Sequence, residues 1–428
     1  MKLNFNIKLL SIIFTSFAVI SFFYGFYFDE ISMGAGGYNG DFVFVTRSID
    51  LFNNNSIKDS ILLFSETSNR PPLIYILHKL FNPFFPDELN FRRSVFTLSL
   101  CIPILFFLCL RERFKNSENN LLILFASILF FNPFFRTSSY WGLEENYAII
   151  STLAAFIFLL RFANHERGNF WNISINIFLI TFFSSLSIYF DQKFLIIPLI
   201  CFFNIILSNQ KNIYKIFCLI FYTIFAIPYI YLIYLWGGIF PTNIYNIGSQ
   251  FFFHHFGYAL TIIAFIFFPL IFLKTNKIGD QIYEFLLKKK FLLLLSILIL
   301  IYLIILFFFY NDSFFENKSD GGGIIKKISL VFFTNLIFKK IFIFSSILIS
   351  WFLIFFFNEE KKLNTILTTY FLIISVIVSP FYQEYFDPII FLLILFIYKL
   401  DFKFTYKKIY FLYAYFLFFL IGTNIYYN

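Results

Sequence analysis

The sequence predicts an all-α, polytopic integral membrane protein with about thirteen transmembrane helices and amphipathic surface helices in its first outer loop. Three observations lead there. Of the 428 residues 60% are hydrophobic and only 13% charged, about half the charge that a water-facing domain carries. The mean hydropathy is +0.79. The apolar residues are gathered into runs of helical length, not alternated with polar ones as in an exposed strand. A chain so poor in charge cannot cover a surface in water, so lipid is its solvent. Helices, which satisfy their own backbone polar groups, are what cross it.

The runs lie at 8–28, 94–110, 120–135, 147–162, 171–190, 194–208, 214–236, 257–273, 291–310, 341–357, 365–380, 387–399 and 409–425. Several are shorter than the ~20 residues of a perpendicular span, and 387–399 is the weakest. A further stretch at 328–338 reads as a re-entrant or interfacial segment. The first run has no small-residue cleavage site, because Gly25-Phe26-Tyr27-Phe28-Asp29-Glu30 follows directly, so it reads as a retained span. The expected organisation is a single membrane-embedded domain over 1–428, with a first extracytoplasmic loop at 29–93 and the remaining spans at 94–428. Within that loop, 41–52 and 73–81 are too short and too mixed to cross. Their apolar spacing fits helices lying on the membrane surface.

The net charge of +9 is explained by its distribution. With the N-terminus in the cytoplasm, the inside segments carry a net of roughly +12 and the outside ones about −5, with Lys339 and Lys340 at a span edge supplying the rest, the asymmetry of the positive-inside rule. The basic excess therefore reports topology, and nucleic acid is not an expected partner. The four cysteines, Cys101, Cys109, Cys201 and Cys218, fall inside apolar runs without metal-ligand spacing, which supports neither a zinc site nor a disulfide framework. The 74 Phe, with abundant Ile, Asn and Lys, fit the drift of an AT-rich genome.

Polar groups at the outer face are the informative ones, since charge at a membrane boundary is costly. Asp29-Glu30 follows the first span with no spacer. It reads either as an interfacial stop or as a carboxylate held rigidly for general-base work on a hydroxyl. Arg70-Pro71-Pro72-Leu73-Ile74-Tyr75 places a cation near that face, with Pro72 suited to starting a surface helix. Arg92 and Arg93, Arg136, and Lys326 and Lys327 break the inside bias; they suit either lipid head-group anchoring or phosphate binding. Two further acidic clusters face outward, Glu144-Glu145 and Tyr382-Gln383-Glu384-Tyr385-Phe386-Asp387-Pro388. Asp191-Gln192-Lys193 is a tight hairpin whose charges can pair. The cores of the spans are nearly free of ionisable residues, which argues against a pump or ion channel and places chemistry at the outer boundary.

The order of these features resembles the polyprenyl-phosphate-sugar-dependent glycosyltransferases of the GT-C superfamily, which includes protein O-mannosyltransferases and bacterial aminoarabinose transferases. Members share a cytoplasmic N-terminus, one span, an acidic pair opening a long first outer loop, and a Pro-Pro-Leu-Tyr-like motif in that loop. Here these are Asp29-Glu30 and Arg70-Pro71-Pro72-Leu73-Ile74-Tyr75. A second acidic residue at the start of the fourth span would be Glu144 or Glu145. The late segment with Tyr382 and Glu384 is similar to a Tyr-Phe-x-Pro motif, with Glu384 standing where an Arg is common. The resemblance implies a GT-C-like fold and transfer of a sugar from a polyprenyl-phosphate donor to a glycan, lipid or protein hydroxyl, with inversion. Asp29, with Glu30 beside it, would be the base. Arg70, Arg92, Arg93, Lys326 and Lys327 would be the candidates for the donor phosphate, and Glu144, Glu145, Tyr382 and Glu384 for a second acidic or acceptor site. Some members need a divalent ion, but no ligand set and no other cofactor is evident in this sequence. The expected site is at the outer face, and the absence of long luminal domains with the AT-rich bias favours a bacterial inner membrane over endoplasmic reticulum. Two rivals remain. A lipid-linked oligosaccharide flippase should line an inner cavity with cations, and an O-antigen-type polymerase relies on arginines in two large late outer loops.

Overall fold

In lipid the backbone finds hydrogen-bond partners only within its own segment. The structure, a computed structural model, accordingly contains helices and no strand among its described residues. Those residues are 2–34, 36–68, 70–164, 169–238, 251–274, 283, 287, 289–309, 321–358, 362–377, 381–398, 400 and 402–427. They form two compact units, one of 1–245 with 413–428 and one of 246–412.

In the first unit, α1 (Lys2–Tyr27) is followed by three short helices, α2 (Asp41–Asn54), α3 (Ile57–Thr67) and α4 (Leu73–Phe81). The segments 41–52 and 73–81 are thus short helices as expected, and α3 is an addition. Each buries one stripe. α2 buries Phe42, Val45, Ile49 and Phe52, and the Phe52 ring stacks on Tyr75 of α4 at 5.6 Å. Local capping sets their starts: the Ser56 hydroxyl accepts the Asp59 N–H at 3.2 Å ahead of α3, which satisfies one of a helix's orphan donors. Pro72 sits at the N-cap of α4.

Asp87 caps α5 (Glu88–Ser99) by accepting the Asn90 N–H at 2.7 Å. Together with α6 (Cys101–Arg113) it makes one apolar helix of 26 residues. Next, α7 (Asn119–Ala126) and a 3-10 turn (Ser127–Phe131) lead to α8 (Pro133–Tyr140). The run expected to span at 120–135 is bent here by 66°. Pro133 lacks the N–H that would continue the helix, and the Asn132 side chain caps the new one through the Phe134 and Phe135 N–H groups at 2.9 and 3.1 Å. The helices α9 (Glu145–Asn164), α10 (Phe170–Phe190), α11 (Ile196–Ile206) and α12 (Asn212–Trp236) complete the unit, together with the end of the last helix, where Tyr413 hydrogen-bonds Ser127.

The second unit holds α13 (Phe253–Lys274), α14 (Lys289–Phe309), α15 (Gly323–Phe332), α16 (Leu336–Asn358), α17 (Lys362–Ile377), α18 (Ile389–Phe396) and the start of α19 (Tyr406–Tyr427). The expected interfacial stretch 328–338 divides between α15 and α16.

Among the described residues eight helices are long and apolar enough to cross a membrane, or nine if the bent pair is one span. The difference from about thirteen lies in the shorter runs. Gln192–Ile206, Leu292–Ile305 and Lys362–Val376 are apolar but short, and 387–399 yields only Ile389–Phe396. All four cysteines are free, with Cys101 exposed and the other three buried.

A buried polar contact pins α4 to α9. His78 of α4 lies 2.6 Å from the Tyr147 hydroxyl of α9 through Nε2, and its Nδ1 lies 2.8 Å from the Asn82 amide nitrogen. An amide nitrogen only donates, so Nδ1 accepts and Nε2 carries the proton. Burial lowers the His78 pKa to about 4. In the unfolded chain the same imidazole protonates near pH 6.5, so stability is complete above that pH and is lost as pH falls toward 4. Thermal unfolding in detergent across that window will show this loss in wild type and a reduced loss in His78→Gln.

Candidate active site

The site grows from the bend. Every residue from 124 to 149 is buried, so α8 and the turn into α9 form a fixed inner post, and three cation–carboxylate groups hang on it. The first joins α8 to the end of α1. The Arg136 guanidinium donates Nε–H to Glu30 Oε1 at 2.8 Å and also binds Glu30 Oε2. Its other donors reach Ser21 O at 2.9 Å, Ser21 Oγ at 3.3 Å and Phe130 O at 2.9 Å. All five guanidinium N–H groups are thereby used. Room for the pair comes from Gly25, where a Cβ would collide with Arg136 Nη2 and Glu30 Oε2.

The second group holds Asp29. α1 ends in a Schellman-type turn, with Glu30 N–H donating to Gly25 O at 2.9 Å and Asp29 N–H to Phe26 O at 3.4 Å. The residue at the left-handed position is usually glycine, and here it is Asp29, at φ 52°. Its Oδ1 forms an ion pair with Arg92 Nη2 at 2.6 Å. Arg92 is itself immobilised: it binds Tyr140 O, donates to the Tyr38 hydroxyl at 3.1 Å and lies over the rings of Trp141 at 4.2 Å, Phe26 at 4.9 Å and Tyr38 at 5.6 Å. Such cation–π contacts favour a desolvated guanidinium.

The third group surrounds the α9 N-terminus. Arg70 binds Glu144 and lies 3.4 Å from Glu145; Lys193 reaches Glu145 at 3.2 Å and Asp191 at 3.0 Å. Burial, together with the charges of Glu145 and Asp191, raises the Glu144 pKa to about 7 against the opposing effect of Arg70. Burial works against the charged Arg70, but Glu144 and Glu145 outweigh it and hold its pKa well above the ordinary value. The carboxylates of Glu144, Glu145 and Asp191 lie within 4.8 Å of one another, close enough to hold a metal ion. Arg70 and Lys193 supply positive charge at the same oxygens.

Of the candidates that the sequence nominates, Asp29, Glu30, Arg70, Arg92, Glu144 and Glu145 thus gather around one post. Arg70 pairs with the α9 acids and not with Asp29, whose partner is Arg92. Arg93, one residue on, is exposed and turns away to Asn90 Oδ1 at 3.2 Å. Lys326, Lys327, Tyr382 and Glu384 belong to the second unit. There the turn Gly321-Gly322-Gly323, with φ of 73°, 93° and 74°, packs on segment 381–387. Gly322 N–H donates to Phe381 O at 2.7 Å and Ile324 N–H to Gln383 Oε1 at 2.9 Å. Lys326 is buried. Burial lowers the Lys327 pKa to about 8, partly offset by the charge of Glu384. Sequence reasoning misses the roles of Arg136 with Glu30 and of Asp191 and Lys193 beside Glu145. The signals that point to them are a lone Arg following Asn132-Pro133 and the charged hairpin at 191–193.

Gly25 gives this geometry a test of sign. Alanine is the better helix former by about 1 kcal/mol, so Gly422→Ala, which meets nothing within 4 Å, will leave thermal stability in detergent unchanged or slightly raised. Gly25→Ala will lower it, by about 3 kcal/mol if the Arg136–Glu30 pair is broken.

No protein-family model matches the chain, and no curated protein and no solved structure matches it.

Proposed function

We propose that the chain is a membrane glycosyltransferase that moves a sugar from a polyprenyl-phosphate donor to an acceptor hydroxyl, with Asp29 as general base. The observation that carries this reading is the contrast among the clustered acids. The Asp29 side chain is 44% exposed while its Arg92 partner is 3% exposed. The side chains of Glu30, Glu144, Glu145 and Asp191 are only 15%, 6%, 12% and 4% exposed. Asp29 is therefore the carboxylate that a substrate can reach, and its anchor cannot move. A base must be fixed in position and open to its proton donor.

In the reaction, the acceptor O–H gives its proton to Asp29 as the oxygen bonds to the anomeric carbon. The bond from that carbon to the lipid phosphate breaks on the opposite side, which inverts the configuration. The departing phosphate takes both electrons and needs a cation. Arg70 and Arg92 are already held by carboxylates, and Arg93 turns away from Asp29. Lys326 and Lys327 stay candidates on the resemblance alone. The proposed setting is a bacterial inner membrane, with the N-terminus cytoplasmic and Asp29 on the outer side. The roughly +12 against −5 distribution of charge supports that orientation.

The test uses membranes holding the full chain and a panel of radiolabelled polyprenyl-phosphate sugars. Release of polyprenyl phosphate is expected from wild type, and Asp29→Asn should reduce it by about 10²–10⁴-fold, the worth of a general base. Asn suits this purpose because it tolerates the left-handed backbone. Full turnover by Asp29→Asn at unchanged protein level would remove Asp29 from the chemistry. The orientation has its own check: with the native cysteines replaced by serine, an impermeant maleimide applied from outside should label Asp59→Cys and spare Lys115→Cys.

A further inference from the structure

Within the first unit, α4, α5 and the start of α9 line an open cleft of about 590 Å³ that the Asp29 chemistry does not use. Its polar wall is Asn82, Asn90, Arg93, Ser94, His78 and Tyr147, and its apolar side includes Phe81, Phe84 and Leu98. These three apolar residues are 77%, 62% and 42% exposed, an arrangement that water alone does not favour. Arg93 is the notable group. Arg70, Arg92 and Arg136 are each bound to a carboxylate. Arg93 is exposed, has no carboxylate partner among the described residues, and makes a single side-chain hydrogen bond, to Asn90. The charge is placed at the right depth for a head group: α5 begins at the Asp87 cap, and Arg93 lies six residues on, about 9 Å along the axis, where the apolar span begins.

We infer that this cleft binds a phosphate-headed lipid of the bilayer, its phosphate on Arg93 and its chains running past Leu98, Phe81 and Phe84. The guanidinium fork matches phosphate geometry, and Ser94 and Asn90 lie beside it. His78 stays a neutral part of the wall, since both ring nitrogens are already engaged. The site is separate from Asp29. Successive helical residues point about 100° apart, so with Arg92 turned in to Asp29 and Trp141, Arg93 faces another side of α5. The inference therefore stands whether or not the chain is a transferase.

The experiment is binding of a fluorescent-tailed phosphatidic acid to the purified, delipidated full chain in detergent, read by anisotropy. Arg93→Gln should weaken binding by about tenfold, the loss expected for one charge-assisted contact. Thr97→Phe, which crowds the cleft while leaving the charge in place, should weaken it as well. Arg47→Gln, an exposed arginine on α2, should leave it unchanged. Inorganic phosphate should fail to compete at concentrations where unlabelled phosphatidic acid does. Equal affinity of wild type and Arg93→Gln, an equal loss in Arg47→Gln, or competition by inorganic phosphate at the lipid's own concentration would each overturn the assignment.

Discussion

The first unit depends on the burial of one guanidinium. Arg136 is 1% exposed in a chain whose solvent is largely hydrocarbon, and an unpaired charge there would cost several kcal/mol. It is tolerated because each N–H has an acceptor and because Glu30 supplies the opposite charge. Those acceptors come from three places: Ser21 in the C-terminal part of α1, Phe130 in the 3-10 turn before the bend, and Glu30 in the turn that follows α1. Satisfying Arg136 therefore fixes the C-terminal end of α1 against α8. Trp141 adds to this by donating Nε1–H to Glu30 O at 3.2 Å, and Tyr140 donates to Phe22 O at 2.6 Å. Phe22 in turn stacks on Phe96 and Phe135, each at 5.1 Å.

The position of Asp29 is a consequence. Once Glu30 is tied to Arg136, the preceding residue must take the left-handed turn that ends α1, and its side chain is directed away from the buried pair. A glycine would fit that backbone at lower cost. Asp29 occupies it at a strain of order 1 kcal/mol, offset by the ion pair with Arg92. The adjacent residues 29 and 30 thus divide two tasks, one carboxylate neutralised in the interior and one presented outward. The same division recurs on α5, where Arg92 is drawn into the aromatic box and Arg93 is left outside.

Sequence makes the spans legible where an apolar run exceeds helical crossing length, because hydrophobic length is a one-dimensional property. It is less informative where tertiary cover substitutes for length. Ile389–Phe396 is wholly buried and needs no full crossing, so its short run gives an ambiguous signal. The bend at Asn132-Pro133 is readable in principle, since a capping Asn before Pro is a helix start, but it falls inside an otherwise continuous run. The acidic and basic residues of the candidate site can be named from sequence, though their pairing cannot. Arg70 lies closer in sequence to Asp29 than Arg92 does, and Arg92 is nonetheless its partner. Neither charge pattern nor spacing encodes which of two adjacent arginines turns inward.

The cluster at the start of α9 poses the reverse problem, too much charge in too little water. Glu144, Glu145 and Asp191 bring three negative charges against the two positive charges of Arg70 and Lys193. One unit is left over, and its burial is unfavourable. A bound proton removes it. The raised pKa of Glu144, about 7, is that correction appearing at one of the three carboxylates: desolvation and its two acidic neighbours favour the neutral acid, while Arg70 holds the value from rising further. Arg70 and Lys193 each tether a different segment to the start of α9. Arg70 anchors the approach to α4 and Lys193 the turn between α10 and α11. Charge balance by proton preserves both tethers, so the arrangement of these five residues follows from holding the approach to α4 and the α10–α11 turn to one helix end.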